Sequence, residues 1–161
     1  MKIEIKKLDN SDSENIVDLI LPIQQLEFAV PITLNDQKDL LDIEEFYIKT
    51  GGNFWGAFTN GELCGTIALL TFGKNRGAIR KMFVKKEYRG KEFGIAAALV
   101  VDLIKFCHMN GIEKLYLGTV DILKAAIRFY EKRGFVPVKK EDLPEDFPVM
   151  PSDNVFYCLD L

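Results

Sequence analysis

Apolar positions along this chain follow two rhythms, alternation in short runs and a three-to-four-residue spacing in longer ones, and the rhythms take turns. Ile3 and Ile5 alternate with charged neighbours up to Leu8, which predicts a short first strand. Ile16, Leu19, Ile20, Ile23 and Leu26 share one helical stripe running to about Phe28. Ser11 and Glu14 are spaced as a capping box at its start, and Pro31 breaks the pattern after its end. Leu40, Leu41, Ile43, Phe46 and Tyr47 predict a second, acidic helix that Asn35 can cap and that Gly51 and Gly52 end. A strand follows over residues 53–59, carrying Phe54, Trp55 and Phe58, and Asn60 with Gly61 is a strong hairpin signal. The return strand, Leu63 to Phe72, is apolar on both faces, so it belongs in the covered middle of a sheet.

Residues 73–77 turn into a strand from Ala78 to Val84, and a charged stretch from Lys85 to Gly94 leads into a helix from Ile95 to Met109. Ile95, Leu99, Leu103 and Phe106 line its apolar face, and Asn110 with Gly111 supplies the stop. Lys114 to Gly118 reads as a strand. Leu123 to Arg133 reads as a helix that Asp121 can cap and Gly134 ends. Phe135 to Val138, an acid-rich loop from Glu141 to Asp153, and Val155 to Leu159 close the chain with two more strands. The order β-α-α-β-β-β-α-β-α-β-β predicts an α/β fold: one mixed sheet with helices on both sides. No repeat or linker divides it, so residues 1–161 are expected to form a single domain.

Composition narrows the function classes. The chain has 161 residues, 48% hydrophobic and 28% charged, with a net charge of −3. That is a globular composition, and the acidic balance argues against a nucleic-acid partner. Met1 to Lys7 alternates and is charged, unlike a secretory leader, and the longest apolar run, Ile95 to Val101, is too short to span a bilayer. Cys64, Cys107 and Cys158 show no CxxC spacing, which fits reduced thiols in a cytoplasm. With His108 as its one histidine, the chain is expected to hold neither a metal centre nor a Ser-His-Asp triad.

The stretch from Ala78 to Gly111 carries the candidate chemistry. A strand, a turn with Arg89, Gly90, Lys91 and Gly94, and then a helix start suit an anion, because the first amides of a helix have no internal partner. An ordinary strand-to-helix turn with solvated lysines is the equal alternative. The stretch has neither the GxxxxGK[ST] phosphate loop nor GxGxxG, so the NTPase and dinucleotide readings lack their motifs. Gly94, Ile95 and Ala96, followed by Leu99 and Val100, resemble the acyl-CoA pyrophosphate loop of the GCN5-related N-acetyltransferase family. In its first half the loop departs: Lys91 stands where that family has Arg or Gln, and Arg89–Gly90 comes two residues early, as if Glu92 and Phe93 had been inserted. A second signature agrees. Tyr130, Glu131, Lys132, Gly134 and Phe135 are similar to the Tyr-Glu-Lys-x-Gly-Phe ending of a helix in the same family, one strand behind the loop.

The resemblance covers nearly the whole chain and implies the family's single, mostly antiparallel mixed sheet. It also implies an acetyl-CoA-dependent N-acetyltransferase without a metal, in which an amine attacks the thioester directly. It places the oxyanion donors and the pairing edge for the pantetheine arm on Met82, Phe83 and Val84. The pyrophosphate contacts fall on Arg89, Gly90, Lys91, Glu92, Phe93, Gly94, Ile95 and Ala96, and the general acid on Tyr130. A half-buried core aromatic is the plain alternative for Tyr130. Leu123 replaces an Asn that many members use to hydrogen-bond the cofactor arm.

The base is not assigned: Glu27, Glu44 and Glu45 are candidates that fit a solvated helix face equally well. Acidic residues in the first two helices and the last loop (among them Asp36, Asp39, Asp42, Asp146 and Asp153) are expected to favour a cationic amine acceptor, with ordinary surface charge as the other reading. A homodimer is among the expected assemblies; nucleic acid and membrane are not expected partners. A non-catalytic acyl-CoA-binding or regulatory domain is the alternative function, and a mononucleotide-binding domain a third.

Overall fold

The computed structural model describes residues 2–161; Met1, the start of the alternating stretch above, lies outside them. Seven strands form one sheet in the order β1-β2-β3-β4-β5-β7-β6. They are β1 (Glu4–Lys7), β2 (Asn53–Thr59), β3 (Glu62–Phe72), β4 (Arg76–Val84), β5 (Lys114–Thr119), β6 (Val136–Val138) and β7 (Val155–Asp160). Every neighbouring pair is antiparallel except β4 and β5. The helices are α1 (Ser13–Pro22), α2 (Ile95–Met109) and α3 (Lys124–Lys132). Among the described residues no helix is long and apolar enough to cross a membrane. The hairpin falls where expected: Asn60 and Gly61 both take positive φ, +50° and +78°, as a two-residue turn matched to strand twist requires.

The two faces of the sheet are covered differently. On one, α2 and α3 pack Ile95, Leu99, Leu103 and Tyr130 onto Trp55, Ile67, Ile79 and Leu117. On the other, α1 and the segment after it pack Ile16, Ile20, Leu40 and Tyr47 onto Phe54, Leu63 and Ala68. Phe147, from the last loop, closes a smaller aromatic cluster with Tyr116 and Phe156.

Three local expectations are corrected. The capping box belongs to Asp9 and Asp12, not Ser11 and Glu14: the Asp9 carboxylate accepts the Ser11 amide at 2.9 Å, and the Asp9 amide donates to Asp12 at 3.0 Å. An acidic side chain two positions upstream captured the free amides first. The second helix is a short 3₁₀ turn (Lys38–Leu41) and a wide π turn (Glu44–Ile48), separated at Asp42 by φ −149°. Asn35 caps neither. Asp42 accepts the Glu45 amide and the Asn10 side chain, so a contact distant in sequence sets that start. Asp121 caps nothing; its amide and carboxylate are bound to the Asn154 side chain. The first helix loses regularity at Pro22, which has no N–H for the next bond, and continues as a wide turn over Ile23–Glu27 before Pro31 is reached.

Candidate active site

β4 and β5 pair only where Arg76, Gly77 and Ala78 stand opposite Lys114, Leu115 and Tyr116. Beyond Ala78 they part: β5 stays with β7 to Thr119, and β4 stays with β3 to Val84. The edge of β4 that faces this split is an open template for an added extended segment. Met82, Phe83 and Val84 line that edge.

A bulge shapes β4 at the split. Ala68 faces Arg80 and Thr66 faces Phe83, so Ile67 alone stands against Lys81 and Met82. Lys81 takes φ +53°, a left-handed conformation that costs an ordinary residue about 1–3 kcal/mol. Several contacts hold it there. The Thr66 hydroxyl donates to the Lys81 carbonyl at 2.7 Å. The buried Lys81 ammonium donates to Gln37 Oε1 at 2.6 Å and lies 3.7 Å from the Asp39 carboxylate. Gln37 exchanges hydrogen bonds with Gln24, and Tyr47 donates to Asp39. Burial pulls the Lys81 pKa down, against the opposing pull of Asp39. The Lys81 carbonyl is thus turned toward β3, and the ladder with β3 is interrupted at Lys81 and Met82.

Tyr130 meets this bulge from α3. Its hydroxyl donates to Met82 Sδ at 3.3 Å, and its ring packs edge-on against Phe129 and Phe135. Burial, with the nearby Asp153 charge, raises its pKa well above that of a solvated tyrosine, so the hydroxyl keeps its proton. It is a core aromatic whose protonated hydroxyl sits against Met82.

The loop reaches α2 through Gly94, whose φ of +67° suits glycine and whose carbonyl takes the Ala98 amide at 3.0 Å. The amides of Ile95, Ala96 and Ala97 therefore have no helical partner, the condition under which a helix start can receive an anion. The basic residues divide. Arg89 Nε donates to the Val84 carbonyl at 2.8 Å, and its guanidinium grips the Glu27 carboxylate, with Phe28 beside it. Lys91 instead stands beside Lys132 of α3; that ammonium, and Arg128, press the Lys132 pKa down. Neighbouring cations facing one another are an unfavourable arrangement that a phosphate group relieves. Leu123 precedes α3 and makes no capping hydrogen bond.

The candidate bases are engaged. Glu27 is held by Arg89, which lowers its pKa; Glu44 accepts the Asn10 amide, and Glu45 pairs with Lys49. Asp36 closes a turn with Thr33, Asp39 serves Lys81 and Tyr47, and Asp146 pairs with Arg76. Periodicity did not single out Arg80 or Lys81; the one available signal was two adjacent cations inside an otherwise apolar strand.

The model of the Acetyltransferase (GNAT) family matches residues 18–135. The N-acetylaspartate synthetase of Danio rerio is 38% identical over 99 residues, covering 60% of this chain. This chain spans only about a third (34%) of that relative's length. A GNAT-family acetyltransferase of Staphylococcus aureus Mu50 superimposes with a TM-score of 0.95 at 39% identity, covering 99% of both chains. The PaiA N-acetyltransferase of Thermoplasma acidophilum, solved in complex with coenzyme A, shares the fold with a TM-score of 0.78 at 21% identity and full coverage of both chains.

Proposed function

We propose, because this chain belongs to the acetyltransferase (GNAT) family, that it moves the acetyl group of acetyl-CoA to a primary amine of a small molecule, amino acid or peptide by direct attack on the thioester. The observation that carries the reading is the split between β4 and β5, with the Lys81 bulge in its β4 wall and the Tyr130 hydroxyl meeting that bulge at Met82. The open edge of β4 at Met82 and Phe83 receives the pantetheine arm. A backbone amide of that edge meets the carbonyl oxygen as charge gathers there, a contribution worth about 3–4 kcal/mol for one well-placed donor. The Tyr130 hydroxyl hands a proton to the leaving sulfur. A thiol titrates near 8.5 and a tyrosine near 10 in water, and burial raises both, so they stay close enough for transfer. The amides of Ile95 and Ala96 receive the pyrophosphate after the turn at Gly90, Glu92, Phe93 and Gly94, and Lys91, rather than the engaged Arg89, supplies the cation. Coenzyme A in the Thermoplasma neighbour and the acetylated amino acid in the name of the Danio relative support the co-substrate and the acceptor class.

Residues 1–161 act as one domain in this reading, since every strand among the described residues joins one sheet. The three free, buried cysteines fit a reducing cytoplasm; burial pushes the Cys107 thiol up to about 12. The test is thiol release from acetyl-CoA across a panel of amines. Release that depends on an amine, with an acetylated product by mass, is expected. Tight acetyl-CoA binding without release on any acceptor would overturn the reading in favour of a non-catalytic acyl-CoA-binding domain.

A further inference from the structure

On the face of the sheet away from Tyr130, two opposite charges look at each other across the split. Arg80 shares its side of β4 with Ala78, whose partner on β5 is Tyr116; were the pairing to continue, Arg80 would meet Gly118. Gly118 carries no side chain, and the Asp153 carboxylate occupies the room: a Cβ at Gly118 would lie 2.3 Å from Asp153 Oδ2. Asp153 is fixed by its amide, which donates to the Met150 carbonyl at 3.1 Å, and by Asn154, whose amide donates to the Thr119 carbonyl at 2.9 Å. The half-buried Arg80 guanidinium contacts only the Pro148 carbonyl, at 3.5 Å, and the Met150 sulfur; among the described residues no carboxylate pairs with it. Lys81, next to it, is already satisfied by Gln37 and Asp39.

We propose that the acceptor is a free α-amino acid, its carboxylate held by the fork of Arg80 and its ammonium received by Asp153 over Gly118. The proposal rests on the acetyl-transfer reading above and gives its acceptor a chemical class. A guanidinium and a carboxylate that feel one another's charge yet form no ion pair, on opposite walls of one opening, match the two ends of a zwitterion. An amine without a carboxylate leaves Arg80 unmatched. Burial raises the Asp153 pKa, opposed by Arg80, the Met150 amide and Lys81, so this aspartate is a better proton acceptor than a solvated one. Asp153 also lines an open groove with Val138, Lys139, Lys140 and Phe156, which gives the acceptor a way in and the proton a way out. The steps balance. Asp153 takes one proton from the ammonium and releases it to water in the groove; the freed nitrogen bonds to the acetyl carbon. The carbon–sulfur bond breaks with its electron pair on sulfur, and sulfur gains the proton of Tyr130. Nitrogen's second surplus proton restores Tyr130 through solvent.

Thiol release is measured for matched pairs, each amino acid against the amine lacking its carboxylate, with acetyl-CoA affinity measured separately by calorimetry. The parent enzyme is expected to favour the amino acid by about 10- to 100-fold in kcat/KM, the range of a charge-assisted pair. Arg80→Gln removes that preference by raising the amino acid's KM and leaves the amine and acetyl-CoA affinity unchanged. Arg80→Lys, which keeps the charge but not the fork, falls between. Asp153→Asn lowers kcat for both members of the pair. Turnover confined to carboxylate-free amines, or equal losses for both members in Arg80→Gln, overturns the acceptor class while the transfer reading stands. No thiol release with any amine overturns both.

Discussion

The two faces of the sheet are built on different principles. The face under α2 and α3 is regular: long stripes of Ile, Leu and Val on intact helices, with the amides proposed to receive the pyrophosphate at the start of α2. The face under α1 is irregular: a helix widened after Pro22, a 3₁₀ turn, a second wide turn, and a buried polar chain from Gln24 through Gln37 and Lys81 to Asp39 and Tyr47. A co-substrate common to a family suits the regular face, where the proposed contacts are backbone amides that side-chain changes leave in place. The proposed acceptor contacts fall on the other face, whose side chains can change without disturbing a helix. The bulge at Lys81 lies between them and belongs to both.

On the regular face, Tyr130 is the residue proposed to take part in the chemistry. Tyr130→Phe keeps the ring and removes the hydroxyl, so kcat should fall about 10²- to 10⁴-fold with acetyl-CoA affinity unchanged. A thioester with a more acidic leaving thiol should lose less. Equal losses with both thioesters would make the hydroxyl a positioning group.

Lys81→Met tests the irregular face. It leaves the mostly buried Asp39 carboxylate without its cation, and breaking a buried pair costs up to roughly 3–5 kcal/mol, a large part of ordinary domain stability. Denaturant unfolding should show that loss, and Asp39→Asn in the same chain should restore part of it. A drop below about 1 kcal/mol would mean the bulge is held by backbone alone.

The phosphate loop comes next. Gly94→Glu forces a side chain into φ +67°, costing about 1–2 kcal/mol, and sets a carboxylate beside the free amides. Coenzyme A affinity should fall about 10- to 100-fold in a folded protein, as two or three charge-assisted contacts weaken. Lys91→Ala should weaken binding by less, and Arg89→Ala least of all. The reverse order for Arg89 and Lys91 would show that Glu27 releases Arg89 when phosphate arrives.

The smallest effect is the acid dependence of stability at Glu27. Arg89 holds the folded-state pKa below the ordinary glutamate value of 4.5. The pair's stabilisation is therefore present above that value and lost as pH falls through the lower, folded one. Because both side chains are partly solvated, less than about 1 kcal/mol is at stake. Glu27→Gln should flatten the parent's stability loss below pH 4.5, and an identical acid limb in both proteins would assign the loss elsewhere.

Residues near one another in sequence determined much of this protein. α2 runs from Ile95 to Met109, as its stripe predicts, and the Asn60–Gly61 turn and the strand over residues 53–59 also fall where expected. Helical and strand periods, a two-residue turn and a glycine before a helix are local codes, so neighbours suffice to write them. The resemblance carried by Gly94–Ala96 and Tyr130–Phe135 pointed to the family on the same local grounds. Tertiary structure alone decided where β4 leaves β5, that Lys81 is buried with a positive φ, and that Arg89 is turned to Glu27 rather than left free. It also set Asp153 over Gly118, opposite Arg80. Each of these depends on partners far apart in the chain, whose separation periodicity does not encode and whose pairing is settled only when the sheet closes and buried charges must find each other.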